Sequence, residues 1–562
     1  MASLWSEALA AERSGETERA MDLAGRVLSM GPSGAALLNS MGGFFLRQGD
    51  APRAEMLYRK ALEEQPENSE FTINLALALG RMKRHGEALG ALADIEPQAR
   101  EQARYWSVRG AEERASGDGA GACSSYEKCL AIDPAHARAL HGRARVALER
   151  GESDAVTRYE EVVARNQGDP EAWLGLAQAL DAAGDTGRAL EIARSLTGQI
   201  PGWIEALDVL TQLRIGAGEA DVTSHYHMAR KSAPHDTAIA FAHCNALDGL
   251  DRYAEAAEIA AAARHVFPDE PRFALREAIY LGEAGDDAAA GAIFAALDLD
   301  TDERRMQEAR HWLRLREAGR ADRLVESVIA RVPDSIEAWA LRSIVWRLAG
   351  DSRTEWLHGQ EGLVRPLDIA ITPERFADIR TLLHHLHDGS SAPLGQSVRG
   401  GSQTRGALLA RTEPELAELH EALMDALARY RAGLPPADET HPLLRHRDKE
   451  WRIFGSWSVR LPGGGHHTGH IHPEGIISSA LYVDLPDENF LKDHAGWLQL
   501  GAAPPDMRLP ELQPLFEIEP KIGRLALFPS TLYHGTRRFE SGTRMTVAYD
   551  VALQDYSIAR KG

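Results

Sequence analysis

Small and apolar residues return along the first two thirds of the chain with a period of about 34 residues, and such a period limits the possible folds more than composition does. Between Leu38 and Pro66 the marks fall on Gly42, Phe45, Gly49, Ala54, Tyr58, Ala61 and the closing Pro66. One period upstream they fall on Ala8, Gly15, Ala20, Ala24, Val27 and Pro32, and downstream on Gly110, Gly117, Ala122, Tyr126, Cys129 and Pro134, then on Ala256, Ala261, Ala263 and Pro268. Apolar positions three and four apart on two successive stretches make two amphipathic helices, with small residues where the helices approach closely. Glycine marks the turn between them and proline follows the second helix. A unit this short cannot bury its apolar face alone, so units stack into a solenoid.

This pattern gives roughly ten or eleven units over residues 1–362, with weaker matches around 69–100, 203–236 and 303–335. It resembles the tetratricopeptide repeat. The tryptophans Trp106, Trp173, Trp203 and Trp339, together with Cys123 and Cys129, read as packing residues of the repeats. By analogy of fold, the concave face would hold an extended peptide.

After Gly362 the rhythm breaks at Pro366 and Pro373. A linker with one helical stretch, Glu374 to His387, occupies residues 363–394, where His384, His385 and His387 read as surface residues. From Trp451 the residues become β-type in short runs (RIFGSWSVRL, IISSALYVDL, GWLQLG, LFEIEP, GRLALFP, TRMTVAYDVAL) separated by Gly, Pro and Asp, which indicates an antiparallel sandwich or barrel over 395–562. The fold class is therefore an α + β multidomain chain, an all-α repeat superhelix followed by a β-domain. A length of 562 residues fits at least two domains.

The net charge of −20 speaks against a general nucleic-acid binder or an anionic-membrane binder, which leaves proteins, peptides and small molecules as partners. Three cysteines (Cys123, Cys129, Cys244), no leader pattern and no long apolar run suggest a cytoplasmic protein.

Within HIHPEGIISSALYVDLP, an extended strand would put His470, His472 and Glu474 on one face, provided it runs straight through Pro473. His534 follows the apolar run GRLALFPSTLY, and Arg544 comes ten residues later. Imidazole and carboxylate ligands with open positions are the arrangement of non-haem iron sites, and a fixed guanidinium nearby suits a carboxylate ligand. His466 and His467, in the glycine-rich loop before the strand, read as rim or surface residues. Ser478, Ser479 and Tyr482 follow the ligand stretch and would line a pocket, with core packing the other reading of Tyr482.

HIHPEGIISSALYV, GRLALFPSTLYHGT, RMTVAYDV and LGQSVRGGSQT resemble the Fe(II)- and 2-oxoglutarate-dependent dioxygenases, especially a bacterial branch fused to tetratricopeptide repeats. The resemblance implies a double-stranded β-helix, or jelly roll, using Fe(II), 2-oxoglutarate as cosubstrate, and O2. It implies iron held by His472 and His534 with either Glu474 or His470, and 2-oxoglutarate held by Arg544 with Thr546, Ser479 and Tyr482 around it. The implied reaction is hydroxylation of a protein or peptide brought in by the repeats, with 2-oxoglutarate decarboxylated to succinate. Two other readings stay open: an interaction scaffold whose β-domain binds 2-oxoglutarate or metal without turnover, and a three-histidine dioxygenase that uses no 2-oxoglutarate.

Overall fold

The computed structural model describes residues 2–487 and 492–553; the last residues of the expected β-domain, 554–562, lie outside that range. Ten antiparallel helix pairs run from Ala2–Arg13 and Thr17–Ser29 to Asp302–Arg314 and Ala318–Arg331 among the described residues, and a final long helix, Ile336–Ala349, follows. Helices begin where the sequence can satisfy their free amides. Asp50 accepts from the Arg53 N–H at 3.1 Å, and Asn68 and Asp169 cap their helices in the same way.

The small residues of the repeat have a direct steric reason. A Cβ on Gly42 would lie 2.6 Å from the Tyr58 ring, and one on Gly110 would lie 3.1 Å from Tyr126, so each glycine makes room for the tyrosine of its partner helix. The hairpin turns need a left-handed residue, Gly49 and Gly117 in clear repeats but Lys83 and Arg316 in two of the weaker matches. There the turn persists without its glycine, as it does at Asp251. The tryptophans pack as expected. The indoles of Trp106, Trp173 and Trp339 each donate to the carbonyl six residues earlier, at 2.7, 2.9 and 2.9 Å.

Compactness divides the chain inside the repeat array. One unit comprises Met1–Leu148 and Ser153–Arg165, and its core runs from Trp5 to Val146. The other runs from Asn166 through the β-domain. In this second unit the first helices of neighbouring repeats pack on one another and form the inner layer. Their C-terminal ends meet the β-domain along a line of polar contacts. Arg405 donates to the Asp181 carbonyl (3.1 Å), Gln212 to Ser391 Oγ (2.9 Å), and Arg399 pairs with Asp251 (2.7 Å). Arg508 donates to the Gly282 carbonyl (3.1 Å), Arg310 to Asp506 (3.0 Å), and Arg347 to the carbonyls of Gly501 and Gln513. Over these repeats, the β-domain is tied to the first helices through those polar contacts.

That domain has eleven strands among the described residues: β1 Arg365–Asp368, β2 Val398–Arg399, β3 Ser402–Gln403, β4 Trp451–Pro462, β5 His466–His467, β6 Ile477–Asp484, β7 Leu498–Leu500, β8 Phe516–Ile518, β9 Arg524–Pro529, β10 His534–Thr536 and β11 Thr543–Leu553. A six-stranded antiparallel sheet has the order β1-β9-β6-β11-β4-β3; β10-β7-β8 and β2-β5 form smaller sheets. The large sheet starts inside the stretch read as linker, since β1 pairs with β9.

Strand alternation separates two faces. Ile477, Leu481, Val483, Val547 and Tyr549 pack on helices Pro373–Asp388 and Pro414–Ala432, while Ala480, Tyr482 and Phe528 face Leu498, Leu500 and Ile518 of the three-stranded sheet. This is the two-layer antiparallel arrangement of a β-sandwich. No helix among the described residues is long and apolar enough to cross a membrane.

Candidate metal centre

The ring nitrogens of His470, His472 and His534 lie within 4.8 Å of one another. Two short segments bring them together. The backbones of His470 and His534 exchange both hydrogen bonds, at 3.0 and 2.9 Å, and His472 lies two residues beyond that bridge. Glu474 is not in the group. The expected straight strand ends here, because the chain turns at Pro473–Glu474 and the Gly475 amide bonds back to the His472 carbonyl (3.3 Å). Alternation therefore no longer sets the direction of Glu474.

Each imidazole has its Nδ1 beside an oxygen acceptor. His472 Nδ1–H donates to Asp550 Oδ1 (2.6 Å), His470 Nδ1–H to the Thr468 carbonyl (2.9 Å), and His534 Nδ1–H to the Leu532 carbonyl (3.1 Å). Rings held by these Nδ1 contacts turn their Nε2 atoms toward one another, the donor set that a divalent transition metal takes. His470 Nε2 and His472 Nε2 approach to 3.1 Å, and a metal ion relieves the repulsion between such lone pairs. Burial pushes His470 down to about 3 and His534 well below its ordinary range, so both rings stay neutral.

Asp550 had no role in the sequence reading. It is buried on β11, and burial raises its carboxyl above the usual range while His472 works against that shift. Asp550 has the parity of Arg544 and Thr546 on β11, so alternation turns it to their face, and the register shift opposite it is taken up by Gly455 of β4. An acid inside the otherwise apolar run VAYDVAL was the available signal. Ser478 lies 3.4 Å from His472 Nδ1 and 2.9 Å from Ser530.

Arg544 is 1% exposed on the same strand. Its Nε donates to the Gly496 carbonyl (3.0 Å), and its guanidinium sits 5.1 Å from the centre of the Tyr482 ring. Thr546 stands opposite Tyr482 in the β11-β6 pairing. No carboxylate among the described residues pairs with Arg544. Ser479, by contrast, has the parity of the helix-covered face. Its hydroxyl accepts from the Tyr549 N–H (2.8 Å) and donates to the Tyr549 carbonyl (2.7 Å), so it supports the bulge instead of lining a pocket beside Tyr482.

His467 Nδ1 and His470 Nε2 both approach Ser397 Oγ, at 3.1 and 3.2 Å, which puts His467 on the rim; His466 lies 3.3 Å from Arg538. Of the three histidines read as surface residues, His385 is exposed, His384 meets Asp484 at 2.9 Å, and His387 is buried between Ser402 and Ser458 (2.9 and 3.0 Å). The helix turns His387 inward toward β3 and β4, a tertiary contact that local spacing does not reveal.

A family model described as "Putative 2OG-Fe(II) oxygenase" matches residues 455–550. Models described as "Tetratricopeptide repeat" match residues 45–111, 153–213 and 6–69. Protein FlbA of Caulobacter vibrioides (strain ATCC 19089 / CIP 103742 / CB 15) is 27% identical over 192 residues, 34% of this chain and 32% of FlbA, so the match spans about a third of that relative.

Among solved structures, TTC0263, a thermophilic TPR protein of Thermus thermophilus, is 20% identical, with 31% of this chain and 95% of that one covered at a TM-score of 0.28. A tetratricopeptide repeat protein from Parabacteroides merdae ATCC 43184 is 15% identical, with 55% and 98% covered and a TM-score of 0.29. The chain thus carries tetratricopeptide repeats in its N-terminal region and a 2OG-Fe(II) oxygenase domain at its C-terminus, and that family implies Fe(II), 2-oxoglutarate and O2.

Proposed function

We propose that the protein is a 2-oxoglutarate-dependent hydroxylase of a protein or peptide, acting in the cytoplasm, with iron held by His470, His472 and His534. The observation that carries this reading is the pair of features on one β-domain: three inward Nε2 atoms fixed by their Nδ1 partners, and a buried guanidinium with no carboxylate partner among the described residues. Iron, 2-oxoglutarate and O2 together supply oxidation of an unactivated C–H bond, with 2-oxoglutarate leaving as succinate and carbon dioxide.

The chain's own part is positional. Asp550, Thr468 and Leu532 hold the tautomers of the ligand rings, which sets donor direction and basicity. Arg544 and Thr546, beside Tyr482, grip the distal carboxylate of 2-oxoglutarate, and the apolar walls around Phe528, Leu498 and Leu500 keep water from that contact. Arg544 also favours this reading over a three-histidine dioxygenase without 2-oxoglutarate, which would have no use for a buried cation there. The repeats recruit the substrate, raising its concentration at the iron.

The test is succinate formation from 2-oxoglutarate by the purified chain with Fe(II) and ascorbate, comparing wild type with His472→Ala and His534→Ala. Turnover in wild type that vanishes in both variants supports the reading. Tight 2-oxoglutarate binding with no succinate across a peptide panel would instead identify a binding scaffold.

A further inference from the structure

The three histidines belong to the β-domain, but the groups that fix one of their rings lead back to the repeats. His534 is oriented by the Leu532 carbonyl, which accepts its Nδ1–H at 3.1 Å. Leu532 lies in the turn between β9 and β10, and the hydroxyls of its two neighbours both find their partners in the repeat region.

On one side, Thr531 Oγ1 lies 3.0 Å from His358 Nε2, and His358 Nδ1 lies 3.1 Å from Ser343 Oγ on helix Ile336–Ala349. All three residues are buried, and burial pushes His358 down to about 3, so a neutral ring donates to one hydroxyl and accepts from the other. On the other side, Arg310 of helix Asp302–Arg314 donates to the Tyr533 hydroxyl at 3.1 Å. The Tyr533 ring packs in the core of the last repeats with Met306, Leu313 and Trp339. Its carbonyl accepts from the Gly501 amide (2.6 Å), and the Gly501 carbonyl accepts in turn from Arg347, again on helix Ile336–Ala349.

A peptide group is planar, so the direction of the Leu532 carbonyl follows from the placement of Leu532 and Tyr533. Both ends of this short stretch are pinned by the repeats. Releasing either end lets the carbonyl swing, and the His534 ring then loses the acceptor that fixes its orientation. The shift would not stop there, because the backbones of His534 and His470 exchange both hydrogen bonds.

We propose that Ser343, His358 and Arg310 are positioning residues of the metal centre, which makes the last repeats part of its scaffold as well as a means of recruitment. The proposal takes its ligand set from the reading above.

The experiment measures Co(II) binding to the full chain, with affinity read by chelator competition and geometry by the visible ligand-field bands. Thr531→Val and Tyr533→Phe each remove one hydroxyl of the turn, and Ser343→Ala removes the far end of the His358 bridge. The control is Arg405→Ala, which breaks a contact with the Asp181 carbonyl elsewhere between repeats and β-domain. Thr531→Val and Tyr533→Phe are expected to weaken Co(II) binding about tenfold, the low end for groups that orient a ligand, and to shift the bands. Ser343→Ala should act in the same direction, Thr531→Ser should restore both readouts, and Arg405→Ala should leave them as in wild type. Thermal melts establish that each variant folds. Unchanged affinity and bands in folded Thr531→Val and Tyr533→Phe, or equal losses in Arg405→Ala, would overturn the proposal and leave the ligand set intact. No Co(II) binding by wild type would instead overturn the ligand set, and this proposal with it.

Discussion

Replacing Arg544 with methionine should change stability and ligand binding in opposite directions. The guanidinium is 1% exposed, and its partners are one carbonyl at 3.0 Å and the face of Tyr482 at 5.1 Å. Burial lowers its pKa, so the ligand-free fold holds this charge at a cost. Methionine keeps most of the volume and removes the charge, and exchanges of this kind run from neutral to stabilising by about 1–3 kcal/mol.

Binding responds the other way. Loss of one member of a desolvated charge pair costs about 2–5 kcal/mol, a fall in 2-oxoglutarate affinity of about 30-fold to about 5,000-fold. Calorimetric titration with 2-oxoglutarate and thermal melts with and without it give both numbers. Wild type at a ligand concentration of about 100 Kd should gain roughly 2.7 kcal/mol, and the variant at most about 0.9 kcal/mol at the same concentration. A ligand-free variant destabilised by several kcal/mol, with affinity near that of wild type, would refute the reasoning and make Arg544 a structural residue.

The ligand set predicts that His470→Ala lowers metal affinity at least about 100-fold while Glu474→Ala leaves it nearly unchanged, read by competition with a chromophoric chelator. Asp550→Asn should lower it about 10- to 100-fold, because the amide no longer holds the His472 tautomer. His387 and His358 are buried and pushed down to about 3, so only the unfolded chain takes up their protons below about pH 6.5. Stability should therefore fall as pH drops through that window, by up to ~1.4 kcal/mol per unit for each, and His387→Gln should flatten the slope in denaturant titrations at pH 7 and 5. Gly249→Val meets the Gly395 backbone, where one side must shift at about 1–3 kcal/mol, and limited proteolysis should then cut faster within residues 389–406.

The repeat was legible because it restates the same sterics many times, even though Lys83, Asp251 and Arg316 take the left-handed turn that glycine holds elsewhere. The triad was legible in part. His470, His472 and His534, all candidates from the sequence, come together in space, while the direction of Glu474 depended on whether Pro473 lay in a strand or a turn. Asp550 and Ser479 both follow strand parity once the strand bounds are known: Asp550 alternates with Arg544 and Thr546, and Ser479 with the helix-facing Ile477 and Leu481. His387 read as a surface residue because its partners come from strands distant in sequence.

The strand order also sets when this protein can become functional. β11, last of the described strands, sits in the middle of the large sheet between β6 and β4, and it carries Arg544, Thr546 and Asp550. During synthesis its neighbours wait with unsatisfied edges until all the other strands have been made, while the N-terminal repeats, whose contacts are local, can already be folded. A nascent or truncated chain would then display folded repeats before His472 has its Asp550 partner and before Arg544 is in place.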